Sequence, residues 1–207
     1  MASRHAVVVG AGIGGLTAAV ALHRRGWRVT VCERASEPRS TGAGIGLAPN
    51  ALRAFDAIGV DAAHAAGSGV PTTMGVRRPD GQWLTRTDTA DMAARYGMPP
   101  IAVPRQALTA ALAAALPPEA LCYGVAVTAV DDAGRPVIRT ATGPDRMATG
   151  PARTASGPDL PADLVVAADG IHSPLRRAYF PPTPVCTTSG RPPGGPSSTP
   201  RTCTYPP

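Results

Sequence analysis

Residues 6–16 read Ala6-Val7-Val8-Val9-Gly10-Ala11-Gly12-Ile13-Gly14-Gly15-Leu16, an apolar run that breaks into a glycine cluster and then into a helix-like stretch over 16–25. Strand, GxGxxG and helix in this order form the turn that receives the pyrophosphate of a dinucleotide. The first glycine makes the tight turn, the second lets the backbone approach phosphate, and the third packs helix against strand. Free N–H groups and the positive dipole end at the helix start favour an anion there. Along the helix Leu16, Ala19, Val20 and His23 share one stripe, and Gly26 closes it.

One strand later, residues 27–33 end in Glu33, 18 positions after Gly15. At that spacing a carboxylate accepts hydrogen bonds from an adenosine ribose. Its charge repels a 2′-phosphate and favours FAD or NAD over NADP, although the neighbouring Arg34 would suit a phosphate. A second cluster, Gly42-Ala43-Gly44-Ile45-Gly46, reads as a loop. It serves either to approach a ligand closely or as a flexible connector. Pro49 then opens a helix carrying Leu52, Phe55 and Ile58.

Farther along, residues 73–87 read as two strands around the turn Pro79-Asp80-Gly81. The run Val103-Pro104-Arg105 begins a helix with proline at its first position, Leu108, Leu112 and Leu116 at a four-residue period, and Pro117 as its stop. Arg105 in the first turn opposes the helix dipole, a conflict that an anionic ligand or a carboxylate relieves. Residues 121–130 and 137–140 read as strands flanking Asp131-Asp132-Ala133-Gly134, and 141–161, without apolar period, as a mobile loop. The continuous apolar run over 164–168 suits a central strand buried on both faces. It ends in Asp169-Gly170, after which Ser173 caps and Pro174 starts a helix reaching 180. Asp169 thus falls at the strand edge where open α/β sheets bind ligands, while His172 reads as a surface residue.

With 207 residues the chain suits one sizeable domain. The net charge is +6 and all 20 basic residues are Arg, scattered without a block or interleaved aromatics, which argues against a nucleic-acid partner. The four cysteines form no CxxC and have no His at metal spacing, so neither a metal site nor a disulfide framework is expected. No apolar stretch approaches a membrane span, and the N-terminus has no leader-like segment, so a cytoplasmic protein is expected. No Ser/His/Asp set or paired acids stand out, and no catalytic residue is assigned.

Together these pieces resemble the N-terminal part of the FAD-dependent aromatic hydroxylases, flavoprotein monooxygenases of the para-hydroxybenzoate hydroxylase type. The resemblance rests on residues 10–15, Glu33-Arg34, residues 42–52, the Pro104-Arg105 helix start with Leu108 and Leu112, and Ala168-Asp169-Gly170 with Ser173 and Arg176. It implies a Rossmann-like FAD-binding βαβ fold in an α/β class, with inserted antiparallel strands at about 70–103, incomplete at the C-terminus. It implies that Gly10, Gly12, Ile13, Gly14 and Gly15 carry the pyrophosphate and Glu33 the ribose, with Arg34 beside the adenosine. By the same likeness Arg105 approaches the pyrophosphate or ribityl chain, Gly44 and Ile45 belong to the cofactor site, the Val127 backbone touches adenine, and Asp169 and Gly170 serve flavin and donor. The implied cofactors are FAD with NADH or NADPH as electron donor, and the implied partners are O2 and a small aromatic or related substrate. An NAD-dependent dehydrogenase on a similar opening fold, or a degenerate nucleotide-binding protein, stays open as an alternative.

The chain departs from that pattern after residue 180. Such hydroxylases continue with a substrate-covering sheet and a Gly-Asp motif, and this sequence has no Gly-Asp dipeptide. Of residues 181–207, 9 are Pro and none is Leu, Ile, Met or Phe, so a disordered tail beyond a domain over 1–180 is expected. A reading frame that shifts or stops after Phe180 would produce such text. If the chain is complete as given, FAD binding is expected to be weak or absent, with no turnover.

Overall fold

A computed structural model describes residues 4–38, 44–62, 69–131, 136–140 and 161–180. The expectations for 141–160 and 181–207, and for the turn at 132–135, lie outside the described residues. At the centre, β1 (His5–Val9) is buried along its whole length. It pairs in parallel with β2 (Arg28–Glu33) on one side and β10 (Leu164–Ala167) on the other, and β2 pairs in parallel with β7 (Leu121–Tyr123). The sheet order is therefore β10-β1-β2-β7.

Helix α1 (Ile13–His23) connects β1 to β2, and its Leu16, Ala19 and Val20 have no exposed surface. The side-chain period of two sends Val8, Val29 and Val31 to the helical face, where they meet those residues and Leu108 and Leu112 of α4 (Arg105–Ala114). Val7, Val9 and Cys32 point the other way and pack with Val127 and Leu175. Those two belong to β8 (Val125–Val130), which pairs antiparallel with β9 (Pro136–Thr140), and to the short α5 (Pro174–Tyr179). Full burial of a leucine such as Leu16, Leu108 or Leu112 contributes roughly 1.5–3 kcal/mol.

A second group of elements lies between β2 and β7 in the chain. β3 (Gly44–Leu47) pairs antiparallel with β6 (Ile101–Pro104). Between them come α2 (Pro49–Ala57), the hairpin β4 (Thr73–Arg77) and β5 (Trp83–Asp88), and α3 (Thr89–Tyr96). The hairpin turn is held by the Gln82 N–H donating to Asp80 Oδ1 at 2.9 Å, with Gly81 at φ +89°. Asp88 caps α3 by accepting from the Ala90 N–H at 2.9 Å, and Gly97 ends it at φ +81°.

Several expectations need correction. The run 121–130 is two strands, because Gly124 at φ +72° takes the chain out of the parallel sheet and into the β8–β9 hairpin. The part of the second glycine cluster that is described, Gly44–Leu47, is a strand and not a loop. Pro104 is the cap residue preceding α4, so Arg105 and not Pro104 is its first residue, and the helix ends at Ala114. The inserted region carries the helix α3 as well as strands. His23 is exposed, leaving the buried stripe of α1 to Gly15, Leu16, Ala19 and Val20. The strand β10 is not central among the described residues: it pairs only with β1, and Leu164 remains 37% exposed.

His5 was not singled out by its sequence, yet it fastens the amino-terminal edge of the sheet. Its main-chain N–H donates to Asp163 Oδ2 at 2.7 Å, and its ring nitrogens lie 2.6 Å from the Pro161 carbonyl and 2.9 Å from Thr30 Oγ1. The carbonyl can only accept, which puts a proton on Nδ1.

Candidate cofactor site

The glycine turn lies at the carboxyl edge of β1, where Gly10 takes φ +105° and donates its N–H to the Cys32 carbonyl at 2.8 Å. Its four glycines divide into two kinds. A Cβ on Gly10 would overlap the Ala168 carbonyl oxygen and stand 3.3 Å from the Asp169 Cα. A Cβ on Gly15 would overlap the Gly10 carbonyl oxygen and stand 3.2 Å from the Ala168 Cβ. These two are glycines because the protein itself fills the space, which lets α1 and β10 close on the turn. A Cβ on Gly12 or Gly14, by contrast, would have no atom within 4 Å. Among the described residues nothing requires their smallness, and the space beside them is open to a group from solvent.

The electrostatics of the turn suit an anionic group. Gly12 is the cap residue of α1 and supplies no side-chain cap, and the first turn has no acid, so among the described residues no side chain caps the first N–H groups of α1. Gly12, Ile13 and Gly14 are all at least partly exposed.

Glu33 ends β2 beside this turn. Its Oε2 accepts from the Ala11 N–H at 2.9 Å and its Oε1 from the Ala35 N–H at 3.0 Å. The sequence marked Glu33 only as a ligand acceptor, and the structure shows that it also fixes the turn. An ionised carboxylate has about four acceptor positions, so both oxygens keep capacity for further donors. Tyr123 on β7 is the register partner of Glu33. Burial pushes its phenol up from the ordinary range, and the Glu33 charge adds to that. Cys32, one residue before Glu33, is buried, and desolvation together with Cys122 pushes its thiol up to about 12, which makes it an inert thiol near neutral pH.

The Asp-Gly pair reaches the same edge from the other side. The Ala168 N–H donates to the Val9 carbonyl at 2.9 Å, which sets Asp169 against Gly10. Asp169 Oδ2 accepts from the Leu175 N–H at 3.3 Å and Ser173 Oγ from the Arg176 N–H at 2.8 Å, so both side chains hold the start of α5. Gly170 at φ +87° makes the bend between them. His172 is exposed.

Residues 10–15, Glu33, Asp169 and Gly170 are thus gathered at one edge. Gly44 and Ile45 face Pro104 and Val103 across the β3–β6 ribbon, whose exit leads directly into Arg105. Arg105 and Arg34 are both exposed. The helix that Arg105 starts packs on α1, which ties the ribbon to the turn. Val127 stands apart from this group: its side chain is buried on the opposite face of the sheet, with Val7, Val9, Cys32 and Leu175. Among the described residues no group of His, Cys, Asp or Glu could hold a metal ion, and no helix is long and apolar enough to cross a membrane.

Comparison with known proteins agrees with this geometry. The chain is 38% identical over 178 residues to the 2-heptyl-3-hydroxy-4(1H)-quinolone synthase of Mycobacteroides abscessus, a match that covers 85% of this chain and 42% of that protein. It is 34% identical to the 3-amino-4-hydroxybenzoate 2-monooxygenase of Streptomyces cremeus, covering 83% of this chain and 41% of the relative. Among solved structures, HpxO of Klebsiella pneumoniae complexed with FAD and uric acid superposes with a TM-score of 0.66 at 29% identity, covering 84% of this chain and 41% of that one. The tetrameric 2-methyl-3-hydroxypyridine-5-carboxylic acid oxygenase gives a TM-score of 0.67 at 28% identity, covering 86% and 42%. The chain therefore spans about two fifths of the length of these proteins. The family model for the FAD binding domain matches residues 4–180, and with the strand, glycine turn, helix and Asp-Gly edge in place, the chain belongs to that family.

Proposed function

We propose that this chain holds the ADP half of FAD at the glycine turn and works within a flavin monooxygenase that hydroxylates an aromatic or related small molecule. The observation that carries the reading is the pair of open glycines: Gly12 and Gly14 leave empty space over an uncapped helix start, which is the seat a pyrophosphate needs. In this reading Gly10, Gly12, Ile13, Gly14 and Gly15 form the pyrophosphate seat and Glu33 accepts the ribose hydroxyls. Arg34 lies beside the adenosine and Val127 offers backbone near adenine. Arg105, at the end of the ribbon that holds Gly44 and Ile45, supplies a cation to the diphosphate or ribityl chain. Asp169 and Gly170 close the flavin side.

FAD, when bound, would supply the redox chemistry between a nicotinamide donor, NADH or NADPH, and O2. The chain's own residues bind and orient it. The helix N–H groups stabilise the diphosphate, and the Ala11 and Ala35 N–H groups keep the Glu33 carboxylate aimed at the ribose. The names of the relatives, a quinolone synthase and an aminohydroxybenzoate monooxygenase, support a small aromatic substrate for the whole protein. A cytoplasmic location fits this role.

The test is a thermal melt of the chain with ADP, FAD and NAD added in turn. A ligand that binds only the folded state raises the melting temperature. ADP is expected to do so, and FAD through the same half even if the flavin half is held weakly, whereas a shift with NAD alone would favour a dehydrogenase instead.

A further inference from the structure

We propose that Tyr123 is a wall of the adenosine seat, packing its ring against the adenosine of the bound cofactor from the β7 side. This rests on the FAD reading above and assigns a residue that the glycine and acid motifs do not contain.

Tyr123 is the last residue of β7 and the register partner of Glu33 on β2. Register partners on neighbouring parallel strands project to the same face, so ring and carboxylate leave the sheet side by side at its ligand edge. Two bonds fix that arrangement. The Ala35 N–H donates to Glu33 at 3.0 Å, and the Gly124 N–H donates to the Ala35 carbonyl at 2.8 Å, so the exits of both strands are laced together. Gly124 at φ +72° then turns the chain sharply away, which leaves Tyr123 at the rim. Tyr123 is half-buried. An aromatic face next to a ribose-binding carboxylate is suited to a purine, since base stacking on aromatic side chains needs only a π-face.

The experiment titrates wild type, Tyr123→Phe and Tyr123→Ala with two probes, ADP and inorganic pyrophosphate, after circular dichroism has shown each variant folded. Pyrophosphate reaches only the glycine turn, whereas ADP also reaches the wall. The expected result for Tyr123→Ala is a loss of about tenfold in ADP affinity with pyrophosphate unchanged, the size a stacked base gives. Tyr123→Phe, which keeps the ring, should remain within about threefold of wild type. Equal losses for both probes, or no loss for either, overturn the inference and leave the FAD reading intact. If Tyr123→Ala does not fold, Tyr123→Phe and Tyr123→Leu decide it, because only the leucine should weaken ADP. A wild-type chain that binds neither probe overturns the FAD reading and the inference with it.

Discussion

The inner and outer rims of one six-residue turn have the same composition and opposite reasons for it. On the inner rim, Gly10 and Gly15 are pressed by the Ala168 carbonyl and by the Gly10 carbonyl, and the fold cannot close around anything larger. On the outer rim, Gly12 and Gly14 meet no atom within 4 Å. A glycine inside a helix lowers stability relative to alanine by roughly 0.5–1 kcal/mol, so Gly14 costs the protein stability, whereas Gly12 at the cap position costs little. The inner rim builds the edge, and the outer rim is left open, which is where the proposed function seats the diphosphate.

Breaking the inner rim should have the largest effect. Gly10→Ala places a side chain at φ +105° and against backbone that cannot yield, and it is expected to destabilise the chain by about 4 kcal/mol or more. Gly15→Ala meets backbone without the conformational strain, and about 2 kcal/mol is expected. Urea melts measure both. A midpoint for Gly10→Ala within error of wild type would show that the close approach of β10 is not needed.

Glu33 joins the two rims, and its substitution is expected to have a middling effect. Glu33→Gln keeps the shape but turns one of the two accepting oxygens into a donor facing an N–H of Ala11 or Ala35. A loss of about 1–2 kcal/mol is expected, together with weaker ADP binding. Retained stability with lost ADP binding would mean that the turn is held without Glu33.

Cys32 sharpens the inner rim through pH. Its thiol, with its carbonyl bonded to Gly10, is raised from an ordinary 9.0 to about 12. A raised folded value means that its contribution is complete below pH 9 and is lost as the pH rises towards 12, because the unfolded thiol ionises first. Wild type should therefore lose stability faster than Cys32→Val between pH 9 and pH 11, with little difference in that slope below pH 9. Parallel stability profiles in that window would show that Cys32 is not desolvated there.

What could be read in advance follows the same division. The turn at 10–15, the helix after it and the cap at Ser173-Pro174 were legible because glycine conformations, the 3.6 period and capping are local chemistry. The split of 121–130 was not, because Leu121-Cys122-Tyr123 before Gly124 and the valines after it carry the same apolar pattern in a parallel strand as in a hairpin. Gly44–Leu47 carries too few side chains to show a period, and it is a strand only through its partner Ile101–Pro104. The helix Thr89–Tyr96 has local signals in its cap Asp88 and in Gly97, which the expectation of inserted strands at about 70–103 left unused. The run at 164–168 has the composition of a strand with neighbours on both sides, and among the described residues it has one. Of the site, the sequence named the turn, Glu33 and Asp169-Gly170. The Ala11 bond to Glu33 and the pairing of Tyr123 with Glu33 depend on contacts between distant segments.

The most direct test of the open glycines is a paired measurement on Gly14→Ala, the melting temperature without ligand and the dissociation constant for ADP. The expected result is a chain as stable as wild type or more stable by up to about 1 kcal/mol, with ADP bound at least tenfold more weakly. Undiminished ADP affinity in that variant would contradict the account, because the space over Gly14 would then not be where the diphosphate sits.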